Sequence, residues 1–445
     1  MVRNIFILLI IYSLSACGSA KYTAGQTVAE RIRMQSGFNV PDQKKAGAFD
    51  QPPGVDPKDG ITPEEAVNIA LWNNAQFQAD LTDALIANAD VINAKIIQNP
   101  LLRYLSPNAG ITASGYINFA LDFIWQRPAR IAAAKMNAAK VRDSLVQKGF
   151  ALIRDVQLAY TDLLFNQEKL HISEENAATR AEINRLANAR LRNGDISELE
   201  AKTSQADSAS AADDLVKAKL AFIASRNQFN YMLGITPVDS VIILQGASVD
   251  TFPSKINKED LITLALEYRP DIQAAKTGIA AAGKTLGWER SKIINFTATL
   301  NYQYIRAANG SGKQWLPNAS NPGFQAEIPI FNRNQGNIAR ANALLEKATL
   351  QYYAVLQKAM LDVTQAFVQY EQTYESYLLW NSNILPPLEA AVGLVRQTYE
   401  RGDISYLPVL EAIRQLQNGR LRQAEANAQL RRSVSQLNYS IGQKK

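Results

Sequence analysis

The chain has 445 residues, with 47 Lys and Arg against 41 Asp and Glu and a net charge of +6. That length exceeds one ordinary domain, and so mild a positive balance without a dense basic run gives nucleic-acid binding no support. A single cysteine forms no intrachain disulfide, and a single histidine has no second imidazole with which to share a metal.

The first segment reads as a targeting signal. Arg3 precedes an apolar run from Ile5 to Ile11, and small residues lead into Leu14-Ser-Ala-Cys17. It is too short to span a bilayer, and no later segment approaches ~18 uninterrupted apolar residues. The ending resembles the bacterial lipoprotein signal, in which the cysteine is lipidated and becomes the first residue. Residues 1–16 are therefore expected to be removed and Cys17 to carry acyl chains; the competing reading is an ordinary signal with an incidental cysteine. Gly18, in place of an aspartate, favours the outer membrane. Residues 17–60, with Pro41, Pro52, Pro53, Gly54 and Pro57, read as an extended tether.

Thr62 and Pro63 then open a helix: a capping residue, proline at N1, and Glu64 and Glu65 at the positive end of the dipole. A second helix is expected over 76–98. Strands follow by alternation. Ile117, Phe119, Leu121, Phe123 and Trp125 share one parity, and Asn118 and Asp122 the other. In the second half Phe296, Ala298, Leu300, Tyr302 and Tyr304 alternate with polar residues, as do Phe324, Ala326, Ile328 and Ile330. This period-two pattern gives a strand with one apolar and one polar face, of a length that fits a membrane-spanning strand. A weaker strand is expected near Leu101 to Leu105, and a loop over 307–321 around Asn309-Gly-Ser-Gly312.

A proline-free stretch dominated by good helix formers predicts a helix from Ala129 to Arg192, ~96 Å long. A second helix returns from Ser197 to Leu233. Its seam of Leu199, Ala206, Ala209, Ala212, Val216, Leu220 and Ile223 resembles that of a coiled coil.

The second half repeats the first. Arg192-Asn-Gly-Asp-Ile-Ser197 returns as Glu400-Arg-Gly-Asp-Ile-Ser405, an offset of 402 − 194 = 208. Asn230-Tyr-Met-Leu-Gly234 returns as Asn438-Tyr-Ser-Ile-Gly442 at the same offset, and Glu64–Leu71 as Glu259–Leu266 at 259 − 64 = 195. A unit this long is no solenoid repeat. It divides the chain into a first repeat over 61–240, a linker over 241–255 and a second repeat over 256–445. In each, two shorter helices laid end to end match one long helix, with strands at one end and a Gly-Asp-Ile-Ser turn at the other. Such a rod buries itself poorly alone and reads as a stave of a barrel.

Catalytic chemistry has no candidate. His171 lies within the long helix and reads as a surface or packing residue. Glu174-Glu175 and Asp213-Asp214 read as solvated helix faces, and no phosphate-binding Gly-Lys-Ser/Thr loop occurs. No enzyme activity, cofactor or metal site is expected.

The duplicated layout, alternating strands, Gly-containing turns and Leu-Ser-Ala-Cys start together resemble the outer-membrane efflux protein family, the TolC-like outer membrane factors. Ile328-Pro-Ile-Phe331 before a long helix is like that family's exit from its second strand. Leu121-Asp-Phe-Ile-Trp-Gln-Arg-Pro128 looks closer to its heavy-metal efflux branch. The resemblance implies a mainly α fold with a membrane β-barrel: a homotrimer whose helical hairpins form a periplasmic α-barrel and whose four strands per chain share one 12-stranded β-barrel. It implies a passive exit duct fed by a periplasmic adaptor and an inner-membrane pump, with the RND type as one option. Four strands cannot close a barrel alone, and open edges are not tolerated in lipid. Phe119, Leu121, Phe123, Tyr302, Phe324 and Ile328 are expected to face lipid. Gly194, Asp195, Ile196 and Ser197, with Gly402, Asp403, Ile404 and Ser405, are expected to form the tips that meet the adaptor. By position Tyr399, Glu200 and Glu411 match residues that close the periplasmic end in some members, whereas Pro408 and Ile404 depart from that gate. The alternative is a non-channel periplasmic coiled-coil adaptor or structural lipoprotein.

Overall fold

The computed structural model describes residues 24–41, 49–55, 60–105, 112–236, 240, 242–245, 257–309, 312–315, 319–401, 403–404 and 406–443. Cys17, Gly402 and Ser405 lie outside them, as do the side chains of Tyr302 and Tyr399.

The expected tether contains a helix. α1 (Ala24–Ser36) buries Val28 and Ile32 completely, because this segment carries an apolar stripe as well as its prolines. Arg31 pairs with Asp143, and Thr277 Oγ1 donates to the same carboxylate at 2.6 Å. Gln35 Nε2 reaches the carbonyl of Tyr268 at 3.4 Å. α1 therefore touches both repeats. Gly149 makes the contact possible, since a Cβ there would lie 2.6 Å from Ile32 Cδ1.

The first repeat opens with α2 (Pro63–Asn73) and α3 (Ala75–Lys95). Thr62 and Glu65 close a reciprocal capping box, which satisfies two of the first orphan N–H groups of α2. Asn74 breaks the pair: its Oδ1 caps Phe77 N at 3.0 Å, and its Nδ2 holds the carbonyl of Met232 at 3.0 Å. α3 ends at Lys95, three residues before the expected Gln98, because Arg127 and Arg130 of the neighbouring helix take up its last carbonyls.

The strands β1 (Leu101–Leu105), β2 (Thr112–Ala120), β3 (Phe296–Asn309), β4 (Gly312–Trp315) and β5 (Ala319–Ala326) form one antiparallel sheet. Its width is four strands, in the order β1-β2-β3-β5; β4 pairs only with the far end of β3. The segment expected to be a loop over 307–321 is thus largely strand, since residues 306–309 and 312–315 fold on each other as a hairpin about Asn309-Gly-Ser-Gly312. β2 is shorter than its alternation suggested. Leu121 lies just past its end, held by a 2.7 Å bond from its N–H to Phe296 O, and Phe123 and Trp125 belong to the following helix. The apolar parity runs on into the helix by chance of spacing. Ile328 and Ile330 likewise lie beyond the end of β5. Pro329 between them has no N–H for a ladder.

α4 (Phe123–Arg192) spans 70 residues, starting six residues before the expected Ala129. Pro128 sits close enough to the N-terminus that only one carbonyl, that of Ile124, loses its helical partner. α5 (Glu198–Leu233) returns antiparallel to it. The expected seam is on the wrong face for this contact. Ala201, Ser204, Ala211 and Ala218 are buried, whereas Leu199 (77 % exposed), Val216, Leu220 and Ile223 face outward. Small residues let α5 lie close to α4, which leaves the large apolar side chains on the opposite side.

The second repeat follows the same plan with α6 (Lys258–Tyr268), α7 (Pro270–Ser291), α8 (Gln335–Leu378), a π-helical turn (Leu379–Ile384), α9 (Leu385–Glu400) and α10 (Tyr406–Ile441). Each repeat has its own core. Leu71, Phe77, Leu145, Tyr160, Leu163, Phe229 and Leu233 cluster in the first, and Leu261, Val363, Tyr370, Leu430, Leu437 and Ile441 in the second. Phe229 and Leu233 correspond to Leu437 and Ile441 at the 208-residue offset.

Candidate functional site: the sheet, the tips and two open edges

The strand register assigns the faces. Ile117 pairs with Leu300, Asn118 with Thr299, and Phe119 with Ala298. Ala298 pairs in turn with Phe324, and Leu102 with Ile117. One face therefore carries Leu102, Tyr104, Ile117, Phe119, Phe296, Leu300 and Phe324, and Tyr302 falls in the same row opposite Gly115. The other carries Ser114, Asn118, Thr297, Thr299, Asn301 and Gln325, with Tyr116 and, from β1, Leu101, Arg103 and Leu105 among them, and Thr299 Oγ1 donates to Asn118 Oδ1 at 3.0 Å. Cross-strand neighbours on a pleated sheet share a side, so the alternation read in separate strands becomes one apolar surface and one that is largely polar across β2, β3 and β5.

The tip of the first hairpin is a Schellman turn. Gly194 has φ +82°, Gly194 N bonds Leu191 O at 3.0 Å, and Asp195 N bonds Arg190 O at 2.9 Å. Ser197 caps α5 reciprocally with Glu200, which fixes the return of the chain. Ile196 is half-buried, and Asp195 is exposed. At the second tip Asp403 N bonds Thr398 O at 3.2 Å, the counterpart of the Asp195 bond, and Ile404 is half-buried. Of the three residues matched to a gate, Glu200 is engaged with its own Ser197. Glu411 is exposed and accepts from Gln415 Nε2 at 3.1 Å. His171 is exposed and lies 3.2 Å from Glu175, one turn along α4.

Sequence reasoning missed the charged seam between the two hairpins. Asp207 of α5 lies between Arg180 of α4, at 3.8 Å, and Arg414 of α10, at 3.4 Å. Arg420 of α10 reaches Glu175 of α4 at 3.2 Å and Glu389 of α9 at 3.4 Å, and Arg432 reaches Asp162 at 2.7 Å. The pairs that join the two hairpins, Asp207–Arg414, Glu175–Arg420 and Asp162–Arg432, are 207 to 270 positions apart, and no local pattern marks them.

The chain leaves matching edges open on either side. In the sheet, β1 and β5 each have a neighbour on one side alone among the described residues. Along the helices, α3 and α5 pack on α4 at one flank, and α8 packs on α7 and α10 at the other. Apolar side chains are exposed on both flanks: Leu199, Val216 and Leu220 on α5, and Leu350, Tyr353 and Leu361 on α8. Two unlike, open edges on one molecule suit a head-to-tail association, which makes a ring where the rotation closes. No described helix is long and apolar enough to cross a membrane.

An amphipathic antiparallel sheet at one end of ~100 Å helical hairpins, with open edges on both flanks, fits a subunit of a channel. The chain belongs to the outer membrane efflux protein family, which it matches over residues 108–234 and 261–443. It is 24% identical over 386 residues to the cobalt-zinc-cadmium resistance protein CzcC of Cupriavidus metallidurans, covering 86% of this chain and 90% of that protein. It is 24% identical over 319 residues to the cation efflux system protein CusC of Escherichia coli K12, covering 69% and 67%. A crystal structure of CusC superimposes with a TM-score of 0.70 at 19% identity, over 91% of this chain and 99% of that one. The protein is thus an outer-membrane efflux channel, and the reading as a non-channel adaptor or structural lipoprotein falls away.

Proposed function

We propose that three copies close head to tail into a passive duct that receives cargo from a periplasmic adaptor and an inner-membrane pump and releases it across the outer membrane. The observation that carries this is the agreement of the edges: β1 lies on the same flank as α3, and β5 on the same flank as α8. A single rotation can therefore pair sheet with sheet and helix with helix. A trimer brings 3 × 4 = 12 strands, enough for a closed barrel. The apolar row through Phe119, Leu300 and Phe324 faces lipid, and the row through Asn118, Thr299 and Asn301 faces the pore. The two tips, Gly194–Ser197 and Gly402–Ser405, form the rim that meets the adaptor. Tyr399, Glu200 and Glu411 narrow that rim at rest. Acylation of Cys17 anchors the chain beside its own barrel. The names of the relatives above point to metal cations as cargo.

Imaging of the detergent-extracted protein together with planar-bilayer conductance tests the duct. A hollow threefold cylinder that conducts supports it; a purified oligomer that never conducts overturns it. For the anchor, Cys17→Ser should abolish incorporation of labelled fatty acid, and persistence of label removes the Cys17 assignment. Cargo is read from metal tolerance of a strain lacking this protein: unchanged tolerance to cobalt, zinc, cadmium and copper rejects metal cations.

A further inference from the structure

The four junctions between strands and helices are joined into one polar belt. Arg127 Nε donates to Lys95 O at 2.8 Å, which ties the exit of α3 to the start of α4. Gln126 Nε2 donates to Asn295 Oδ1 at 3.0 Å, Asn295 Nδ2 to Glu327 Oε2 at 2.9 Å, and Asn334 Nδ2 to Glu289 O at 2.8 Å. All four junctions therefore stand at one level, where the apolar face of the sheet ends.

Two further features coincide at that level. Each junction exposes large apolar side chains: Ile96 and Ile97, Ile124 and Trp125, Ile294 and Phe296, and Ile328, Ile330 and Phe331. Phe331 is 90 % exposed. Neither core claims these residues, and a patch of this kind marks an interaction surface. The second feature is charge. Lys95, Arg127, Arg130, Arg290, Lys292 and Arg333 stand here against Asp122, Glu289 and Glu327. Lys292 is spoken for by Glu289, at 2.6 Å. Arg127, Arg130 and Arg333 use nitrogens on backbone carbonyls, and among the described residues none of the three forms an ion pair. Lys95 and Arg290 are exposed, and among the described residues neither forms an ion pair.

We infer that this belt is a binding surface for anionic phospholipid in the periplasmic leaflet of the outer membrane. The exposed isoleucines and aromatic rings enter the acyl boundary, and Lys95, Arg290 and Arg333 take phosphate headgroups beside them. The occupant follows from continuity and charge. The belt extends the apolar face of a sheet that spans the membrane, and an apolar surface studded with cations at the interface fits an acyl chain with an anionic head. A soluble anion has no use for the apolar half, and a zwitterionic lipid leaves the charge excess unmatched. The inference rests on the channel reading for the orientation of the sheet.

The test uses the full-length oligomer in detergent, titrated with fluorescent phosphatidylglycerol or phosphatidylcholine. Wild type should prefer phosphatidylglycerol, and the Lys95→Gln/Arg290→Gln double variant should weaken that preference about fivefold or more. Adding Arg333→Gln should weaken it further. The double variant removes no internal hydrogen bond seen here, so its assembly should be intact, and bilayer conductance of the same samples verifies the channel separately. Equal binding of the two lipids by wild type overturns the inference. So does an unchanged preference in the double variant accompanied by altered ion selectivity of the pore, because the cations then face the lumen.

Discussion

Gly234 and Gly194 offer a controlled comparison. Both have left-handed backbones, φ +71° and +82°, and both end a long helix. A Cβ on Gly194 meets nothing within 4 Å, whereas a Cβ on Gly234 would lie 2.1 Å from Asn73 O and 2.6 Å from Asn73 C. Asn73 cannot yield cheaply. Its side chain holds Asp50 N at 2.8 Å, Asp50 O at 2.9 Å and Ile69 O at 3.0 Å, and Asn74 beside it is bonded to Met232 O. Gly194→Ala therefore incurs the left-handed penalty of about 1–2 kcal/mol, partly offset by a less flexible unfolded chain. Gly234→Ala incurs the same penalty plus about 1–3 kcal/mol of overpacking as the end of α5 is pushed off the α2–α3 break. The difference is read by thermal unfolding of the detergent-solubilised oligomer, followed by helical circular dichroism. Gly442→Ala should resemble Gly234→Ala, because its Cβ would lie 2.8 Å from Arg269 Cα at the equivalent break. If Gly234→Ala unfolds no earlier than Gly194→Ala, the close approach at this break is not what stabilises the repeat.

Three other outcomes are expected. Tyr160 OH shares its proton between Ile61 O at 2.9 Å and Gln245 O at 2.6 Å, and burial pushes its pKa from 10.0 up to about 12. The folded form keeps the proton that the unfolded chain loses, so this contribution is full below pH ~10 and lost as pH rises through ~12. Tyr160→Phe should cost about 1–2 kcal/mol and flatten that alkaline loss, and an identical alkaline profile in the variant rejects it. Leu300→Arg should impair assembly by about 2–4 kcal/mol more than Asn301→Arg, its neighbour on the other face; equal oligomer yields contradict the assignment of lipid and pore faces. Tyr399→Phe with Glu200→Gln should raise conductance of the isolated oligomer. Glutamine at N3 keeps the capping box, so unchanged conductance removes the gate without implicating the fold.

Features set by a few neighbouring residues were legible in the sequence. Thr62-Pro63 and the Gly194 turn each carry their signal within four positions, and the structure realises both; Glu200, matched by position to a gate, also serves as the N3 partner of Ser197. The duplication was legible because the repeated residues are those with local backbone demands. What failed was whatever depended on the facing surface. The Leu199–Ile223 stripe has helical period, and period cannot say whether a face meets its own chain or the next. Phe123 and Trp125 continue the parity of β2 across a boundary fixed by the Leu121–Phe296 bond. α1 was hidden because the prolines that follow this 13-residue helix, Pro41 to Pro57, dominate the composition of the segment. The tips follow from local code, whereas the Asp207 seam depends on two hairpins meeting and leaves no local trace.

The Gly149 notch has a consequence for biogenesis. α1 is among the first segments to leave the ribosome, yet its partners arrive late: Asp143, then Gly149, and finally Tyr268 in the second repeat. Thirteen residues are too few to hold a helix in water without a surface to lie on. The segment must therefore wait while about a third of the chain is made, until the surface around Gly149 exists. It closes fully only when Tyr268 of the second repeat stands beside it, so the latch made first fastens last.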